Sequence, residues 1–487
     1  MIKRIKNIFL ADNAKAIIFK NFFWLFAGNV GSRFFKAAII IYAARRLGVD
    51  GYGIFSYAVG LAGFFVFIKN IGIDAVLTRE VAKDPEKQHK YLSTAFWIEI
   101  ILLVITFLLI IFIAPFFSGV KGAAILLPFV ALALIFDDLR DLFIAFFRGK
   151  EKMELEALVM VAANISLAIF GFIVLFFLPT PKLFAMSTAA ASLLGLIAAA
   201  FLIKPFMKGI LRNFTKDMVS PMLKSAFPIA IGGFAGVFLF NVDIVMLGWW
   251  RDANEIGFYS AAQKIVGMLA IFSGFISVVT FPNLSRFAHS DSQQKIKKLA
   301  ETSLKIIFII ALPLVIGGVI LKSSLIGFIF GASYLPAANA FAILLFSILA
   351  IHPLPIYSNI LFAFDKQAKL IKYAVIASVC NVALNFILIP KYGIEGAAAT
   401  TLVSFFVYIF LIRRSMKHIY DFNFLGLLKV AISALLMGFL AYILNIVGIH
   451  IIINIVISGA FYFLLLYLIK EPIMKEIFSL FRFNSKI

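Results

Sequence analysis

Two cations and an amide share one face of the first long apolar segment, residues 21–44. Arg33 and Lys36 are three residues apart, and Asn29 precedes Arg33 by four, so a helix would project all three side chains in one direction. A cation at the centre of a bilayer costs roughly 2.5 to 3.5 kcal/mol, so it normally faces a partner or a water-filled cavity. These side chains could bind a phosphate group, Arg33 bidentately and Lys36 as a point charge. The alternative is a buried ion pair with a carboxylate of another segment.

The fourth apolar segment carries a second group of charges, within about two helical turns: Asp137, Asp138, Arg140 and Asp141. Arg140 follows Asp137 by three positions and Asp141 follows it by four, so one face can hold a local salt-bridge cluster. The cluster could be the site of a coupling proton or Na⁺, or an inner gate that pairs with the cations of the first segment. Equally, Arg140 could only neutralise the aspartates at a wet cytoplasmic vestibule.

Polar side chains also occur in the seventh and eighth apolar segments: Asn241, Asp243, Ser260, Gln263 and Lys264. They could contact sugar hydroxyls and the outer side of a phosphate. Alternatively, Asp243 could pair with Lys264 and close an outer gate. The sequence leaves both interpretations open.

The tenth segment contains IHPLPIYS, in which Pro353 and Pro355 should interrupt the helix and form a hinge. His352 is either a cation switch or, as we prefer, a polar residue at the interruption. Asn381 and Asn385 are one turn apart in the eleventh segment, and we expect them to form hydrogen bonds between helices.

The composition of the chain indicates the class of fold that holds these residues. The 487-residue chain is 63% hydrophobic and 14% charged, with a mean hydropathy of +1.04. These values indicate a membrane protein with many spans. The net charge of +21 is spread between apolar segments rather than gathered in one patch, which argues against nucleic-acid binding. A single cysteine, Cys380, allows no disulfide within the chain.

Lysine and arginine counts predict the orientation, since short cytoplasmic loops are enriched in them. With both termini in the cytoplasm, about 32 of these residues fall on the inside and about 7 on the outside. We therefore expect a multi-pass protein of the plasma (inner) membrane. Residues 1–20 read as a cationic amphipathic leader on the cytoplasmic surface, or as a flexible one, and not as a signal peptide.

The chain also has signs of two related halves. A long polar connection at 204–226 has six apolar segments before it and eight after. The pattern GYGIFSYA at 51–58 is similar to EIGFYSAA at 255–262, with Gly53 matching Gly257. We expect both segments at an outer turn, where glycine permits the reversal and a small residue then lets two helices approach. Internal repeats of this kind are typical of transporters.

Four segments carry a resemblance to a known family: ARRLGVDGYGIFSYA at 44–58, IGIDAVLTREVAKDP at 71–85, FRGKEKMELEALVMVAANI at 147–165, and NVALNFILIPKYGIEGAAATTLVS at 381–404. In these segments the chain resembles the polysaccharide flippases of the MOP superfamily, which are relatives of MATE exporters and lipid II flippases. The resemblance implies two six-helix bundles forming a V and alternating access. It also implies export of an undecaprenyl- or dolichyl-pyrophosphate-linked glycan.

The predicted fold is an all-α integral membrane protein with 14 transmembrane helices and pseudo-two-fold symmetry. Its parts are a leader at 1–20, six-helix bundles at 21–220 and 221–423, and two further helices with a cytoplasmic tail at 424–487. By the resemblance, the last two helices could line a groove for a polyprenyl tail. Otherwise they face lipid or form a dimer.

The predicted function is that of a flippase that carries a polyprenyl-pyrophosphate-linked oligosaccharide to the outer leaflet for cell-surface polysaccharide or glycoconjugate synthesis. The alternatives are a cation-coupled multidrug exporter or a lipid II flippase, and more distantly a membrane glycosyltransferase or polymerase. We expect no enzyme activity, metal or cofactor, because nucleotide-binding and metal-binding motifs are missing from the sequence. A Na⁺ or H⁺ gradient could drive transport if the charges of the fourth segment bind the ion. The expected partners are the lipid-linked glycan, membrane lipids, and glycosyltransferases or a polymerase of the same pathway.

Overall fold

A computed structural model describes residues 14–66, 71–206, 209–288, 293–416 and 427–471. Side chains are described from Phe34 onward, apart from some within 228–240 and 271–293. All regular elements in these residues are helical, and they form two compact units that divide after Gly257. The amphipathic leader predicted for 1–20 lies outside the described residues except for the helical backbone of its end.

The first unit contains seven helices and the start of an eighth. They are α1 (Ala14–Phe65), α2 (Ile73–Lys83), α3 (Gln88–Phe112), α4 (Ala123–Gly149), α5 (Met153–Phe177), α6 (Pro181–Ile203), α7 (Lys216–Trp250) and α8 (Ala253–Leu269). Short 3₁₀ turns follow α2, α3 and α6.

The second unit contains the rest of α8 and eight further helices. They are α9 (Ile271–Ala288), α10 (Gln293–Ile320), α11 (Lys322–Phe330), α12 (Ala337–Ile351), α13 (Leu354–Ala363), α14 (Gln367–Met416), α15 (Leu428–Ile446) and α16 (Ile451–Leu468).

The helices confirm a membrane protein with many spans. In the described residues, nine helical stretches are long and apolar enough to cross a bilayer. In the described residues, each apolar segment predicted from the sequence overlaps one or two helices. These segments are 21–44, 52–71, 92–116, 123–147, 157–178, 183–203, 227–250, 256–281, 304–321, 336–363, 370–389, 394–411, 427–447 and 451–469. The short helices α2 and α11 were not predicted. The count of 14 spans and the symmetry between two bundles of six remain predictions.

Two long helices each contain two predicted spans, separated by a glycine. In α1 the backbone turns at Gly48 with φ +71°, and in α14 it turns at Gly393 with φ +55°. Positive φ values of this kind strain residues that carry a Cβ. The chain therefore reverses at Gly48, and our placement of Gly53 at the turn was wrong, since Gly53 lies within the helix that follows.

Gly53 instead allows two backbones to touch. A Cβ on Gly53 would lie 1.7 Å from the carbonyl oxygen of Ala253, and one on Gly257 would lie 2.3 Å from that of Val49. Each glycine thus meets the residue four positions before the other. This contact between the two segments was not predicted from the sequence, and only glycine fits there. Gly257, like Gly53, lies within a helix rather than at a turn.

The contact continues along α1 and α7 as a row that we call the glycine seam: Gly53, Tyr57, Gly60 and Gly248. A Cβ on Gly60 would lie 2.9 Å from a methyl carbon of Ile244, and one on Gly248 would lie 2.1 Å from the Tyr57 ring. The buried Tyr57 hydroxyl donates to the carbonyl of Phe117 at 3.1 Å. The seam therefore also holds the connection between α3 and α4.

The second unit has a core built from α9, α10, α13 and α14, and a helical pair packed against it. The pair is α15 and α16, whose buried Met437 and Tyr462 lie against Ile309 of α10. The Tyr462 hydroxyl donates to the Ile309 carbonyl at 2.8 Å, and Lys305 forms an ion pair with the buried Glu471. The last two predicted spans thus belong to this unit, with their outer faces apolar and exposed.

Gly248→Ala tests the glycine seam. Overpacking costs typically 1–3 kcal/mol, roughly, so we expect the apparent Tm of the purified protein to fall by several degrees. Gly63→Ala is the matched control, because Gly63 is also on α1 and nothing lies within 4 Å of its Cβ position; alanine should there preserve or raise the Tm. An unchanged Tm for Gly248→Ala would show that the helices do not meet as described.

Candidate functional site

The cationic face predicted on the first span falls mainly where side chains are not described. Asn29 and Arg33 lie outside the described side chains, although α1 continues through both positions. Lys36 is described, and it is exposed on α1. The shared direction of the three side chains, and their role toward a phosphate, remain predictions.

The charges of α4 form the salt-bridge cluster expected from their spacing. Arg140 donates from Nη1 to Asp137 Oδ1 at 2.5 Å, and from Nη2 and Nε to Asp141 Oδ1 at 2.8 and 3.0 Å. The Arg140 side chain is only 11% exposed, whereas those of Asp137 and Asp141 are 35% and 47% exposed. Asp138 is half-buried on the same helix. We call Asp137, Arg140 and Asp141 the α4 cluster.

Small residues allow neighbouring helices to cover Arg140. A Cβ on Gly195 of α6 would lie 3.4 Å from Arg140 Cδ and 2.8 Å from the Cβ of Ala163 on α5. The aliphatic part of the arginine is therefore packed between helices while its guanidinium reaches the carboxylates. Chemically, the cluster can exchange the arginine for a proton or a metal cation at an accessible carboxylate.

Sequence reasoning missed a buried carboxylate at the same level. Glu99 of α3 is 2% exposed. The rings of Phe96 on α3 and Phe143 on α4 stack at 6.5 Å. Glu99 is about one turn after Phe96 on α3, and Arg140 is about one turn before Phe143 on α4. Because α3 and α4 run in opposite directions, Glu99 and Arg140 lie at about the same height in the bundle. Glu99 could have been found from the sequence as a single acidic residue inside an apolar span, since such a residue is a candidate for function.

A second ion pair was also missed, at the end of α4. Arg148 donates to both carboxylate oxygens of Glu156 on α5, at 2.5 and 2.8 Å, and Glu156 is 2% exposed. The pair closes the tight connection between α4 and α5. Thr78 Oγ1 of α2 donates to the Ala145 carbonyl at 2.9 Å and fastens α2 to the same end. These contacts fasten the adjoining ends of α4 and α5, and that of α2, to one another.

The polar residues of the seventh and eighth spans are divided between the two units. Asn241 is half-buried and Asp243 fully buried, both on α7 in the first unit. On α8 in the second unit, Ser260 is buried, and Gln263 and Lys264 are half-buried. Their predicted roles toward a sugar or an outer gate remain predictions.

The second unit has a buried core of neutral polar groups. Asn385 Nδ2 donates to Asn381 Oδ1 at 3.0 Å, and both side chains are fully buried on α14. This bond runs within one helix rather than between helices. Tyr259 of α8 and Thr401 of α14 share a hydrogen bond of 3.1 Å between their hydroxyls, which joins two helices.

The interruption predicted at Pro353 and Pro355 is confirmed, since α12 ends at Ile351 and α13 begins at Leu354. His352 is buried at the interruption. Asn359 of α13 donates to the carbonyl and the hydroxyl of Ser277 on α9, at 2.9 and 2.8 Å. The helix beyond the prolines is thus held to its neighbour, while the hinge role remains a prediction.

Metal coordination by several acidic or histidine side chains is not observed here. Within the described residues, no group of three or more His, Cys, Asp or Glu side chains could hold a metal ion. A role of Asp137 and Asp141 in binding a coupling ion remains a prediction.

Comparison with known proteins adds to this geometry. The family model "Polysaccharide biosynthesis protein" matches residues 18–288, more than half of the chain. The chain is 23% identical over 464 residues to "Probable low-salt glycan biosynthesis flippase Agl15" of Haloferax volcanii, covering 93% of this chain and 96% of that one.

Two solved structures share the fold. "Lipid II flippase MurJ, inward closed conformation" aligns with a TM-score of 0.78 at 18% identity, over 92% of this chain and 99% of that one. An inward-facing multidrug resistance MATE family transporter of the MOP superfamily aligns with a TM-score of 0.64 at 16% identity, over 80% and 95%. At these identities the likeness shows the fold alone.

Arg140→Gln tests the α4 cluster. It removes the charge that balances two aspartates in a packed environment, so we expect a loss of stability on the order of 2 kcal/mol in unfolding measurements. Arg79→Gln is the matched control, because Arg79 pairs with Glu80 at 2.7 Å but is 59% exposed; it should change stability by under about 0.5 kcal/mol. Equal effects for both variants would contradict a packed cluster.

Proposed function

Because the chain belongs to the family of polysaccharide biosynthesis proteins, we propose that it is a flippase for a polyprenyl-pyrophosphate-linked oligosaccharide. It moves this substrate from the cytoplasmic to the outer leaflet of the plasma membrane for cell-surface polysaccharide or glycoconjugate synthesis. The observation that carries the proposal is the end-to-end match to a relative named as a glycan biosynthesis flippase.

The same proposal assigns the membrane orientation and the partners. Both termini lie in the cytoplasm, where glycosyltransferases of the pathway assemble the substrate, and a polymerase or transferase receives it outside. Two bundles of six helices alternate access to a central cavity, and α15 and α16 offer their exposed apolar faces to the polyprenyl tail. The shared fold supports the helical architecture in this proposal, and the lysine and arginine counts support the orientation.

Charge matching is the main physical requirement of the transport step. A pyrophosphate that leaves water for a low-dielectric cavity must meet positive charge. In the proposed mechanism Arg33 and Lys36 supply it, and Asn29 donates a further hydrogen bond one turn away. Arginine matches a phosphate bidentately, which would hold the head group while the sugars pass through the aqueous cavity.

The α4 cluster is the proposed point of ion coupling. Its arginine is 11% exposed, whereas its carboxylate side chains are 35% and 47% exposed. In the proposed mechanism a proton or Na⁺ reaches Asp141 from an aqueous cavity. A cation bound there competes with Arg140 for the same oxygen atoms. Arg140 would then reorient, and its contact with Gly195 would pass this change to α6.

A cation-coupled drug exporter is the second candidate, because a MATE transporter shares the fold. It is weaker for two reasons. The sequence match to the flippase relative covers 93% of the chain, and the charges predicted at the centre of the first span are positive, which would repel cationic drugs. Binding of a drug cation without binding of a pyrophosphate lipid would favour the exporter.

Arg33→Ala tests the substrate site. Hydrogen bonds to charged groups contribute on the order of 1.5 to 3 kcal/mol, so the variant should bind a lipid-linked glycan roughly ten- to a hundredfold more weakly. Arg33→Lys should restore part of the affinity, because it keeps the charge and loses the bidentate geometry. Flipping of a labelled lipid-linked glycan in proteoliposomes provides the measurement.

Lys182→Ala is the control for this experiment, since Lys182 is an exposed lysine at the start of α6. It should flip the glycan at the parent rate. If Arg33→Ala and Lys36→Ala also flip at the parent rate with normal expression, these cations do not serve the phosphate.

Asp137→Asn and Asp141→Asn test ion coupling. Each amide keeps the shape of the side chain and removes its charge, so an imposed Na⁺ or H⁺ gradient should no longer accelerate flipping. Asp84→Asn is the control: Asp84 lies between α2 and α3, where a hydrogen bond from Lys87 lowers its pKa. Gradient-dependent flipping that persists in both α4 variants would reduce the cluster to a structural salt bridge.

A further inference from the structure

The connection between α6 and α7 carries an exposed surface of mixed character. Its exposed cations are Lys204, Arg212, Lys216 and Lys224. Its exposed apolar side chains are Leu211, Phe214, Leu223 and Phe227. We call these eight residues the linker surface. Exposed apolar residues beside cations are typical of segments that lie on a membrane.

Hydrogen bonds hold the connection in place on the first unit. Ser93 donates to the carbonyl of Ile210, and the backbone N–H of Thr215 donates to Thr94 Oγ1 at 3.2 Å. His89 Nδ1 lies 3.0 Å from the Phe206 carbonyl. Ile210 is buried in the core beneath. One side of the connection therefore packs on the first unit. These contacts hold the backbone in place, and the other side is exposed.

Two further lysines extend the positive charge of this region. Lys152 Nζ lies 5.0 Å and Lys150 Nζ 6.0 Å from the centre of the Phe206 ring. From position 204 to 224 the sequence has five lysine or arginine residues and one acid, Asp217, which gives a net charge of +4 (five minus one). The expected occupant is therefore anionic.

A cleft with apolar walls lies beside these cations. It is a shallow, open depression of about 580 Å³ lined by Phe214, Lys216, Val219, Ser220, Leu223 and Lys224. Lys216, Ser220 and Lys224 follow one another at intervals of four on α7, so they share one helical face. Two ammonium groups and a hydroxyl can bind a phosphate, while the neighbouring apolar side chains receive hydrocarbon.

We propose that the linker surface binds an anionic phospholipid of the cytoplasmic leaflet, with the phosphate at Lys216, Ser220 and Lys224 and the first part of an acyl chain in the cleft. The connection starts directly after α6, a helix long and apolar enough to span the membrane, which places it at headgroup level. A soluble acidic protein would match the charge and leave the cleft and the exposed Phe227 unused.

The test titrates the purified full-length protein in detergent with phosphatidylglycerol or phosphatidylcholine and measures lipid binding by native mass spectrometry and by the shift in Tm. The parent protein should prefer phosphatidylglycerol. A lysine near an anionic headgroup contributes about 1 kcal/mol, or roughly fivefold in affinity, so Lys216→Gln with Lys224→Gln should weaken phosphatidylglycerol binding roughly 25-fold. Lys121→Gln with Lys182→Gln, also exposed lysines, is the matched control and should bind like the parent.

Three outcomes would overturn the proposal. The double variant could bind phosphatidylglycerol as tightly as the parent. Glycerol 1-phosphate could bind as tightly as the whole lipid, which would remove any role for the cleft. Finally, a polyprenyl pyrophosphate could displace phosphatidylglycerol at equimolar amounts, which would make the surface a substrate site. The single variants, each expected to lose about fivefold, replace the double variant if its Tm without lipid is lowered. Flipping by the parent protein is measured separately, so failure here leaves the proposed function standing.

Discussion

An arginine packed among membrane helices must have its charge balanced close by, and Asp137 and Asp141 do this for Arg140 within a single helix. Because α4 carries both the charge and its balance, α5 and α6 need no opposite charge toward it. They present Ala163 and Gly195 instead, and the helices pack tightly around the arginine. The carboxylates remain accessible at the edge of this packing, which makes the same interaction both a structural element and a candidate for ion binding.

The same absence of water explains how the helices meet elsewhere. Apolar burial gives little driving force between helices in lipid, so close backbone packing and hydrogen bonds must hold them. In the first unit the glycine seam provides close packing, because Gly248 leaves room for the Tyr57 ring. The second unit uses hydrogen bonds, such as those of Tyr259 with Thr401 and of Asn359 with Ser277.

The sequence predicts most helices and much of their local chemistry, because hydropathy and helical spacing are properties of short segments. The contact of Arg140 with Asp137 follows from positions three apart, and the interruption at His352 follows from proline chemistry. The depth of a residue in the bundle, and its partners on other helices, depend on how the helices pack. The place of Glu99 beside the α4 cluster depends on the register of α3 against α4. Gly53 was taken for a turn because a glycine of close contact and one of positive φ look alike in a sequence.

The α4 cluster and the Asn381–Asn385 pair differ in charge, and this difference bears on how each would respond to a bound ion. Asp137, Arg140 and Asp141 together carry a net charge of −1, two negative and one positive. A bound proton or Na⁺ would neutralise them. The same ion at Asn381 and Asn385 would instead create an uncompensated positive charge among fully buried amides, unless an acidic residue joined them. An unbalanced buried charge is far more costly than a neutral cluster, so a bound cation would be better compensated at the α4 cluster than at Asn381 and Asn385.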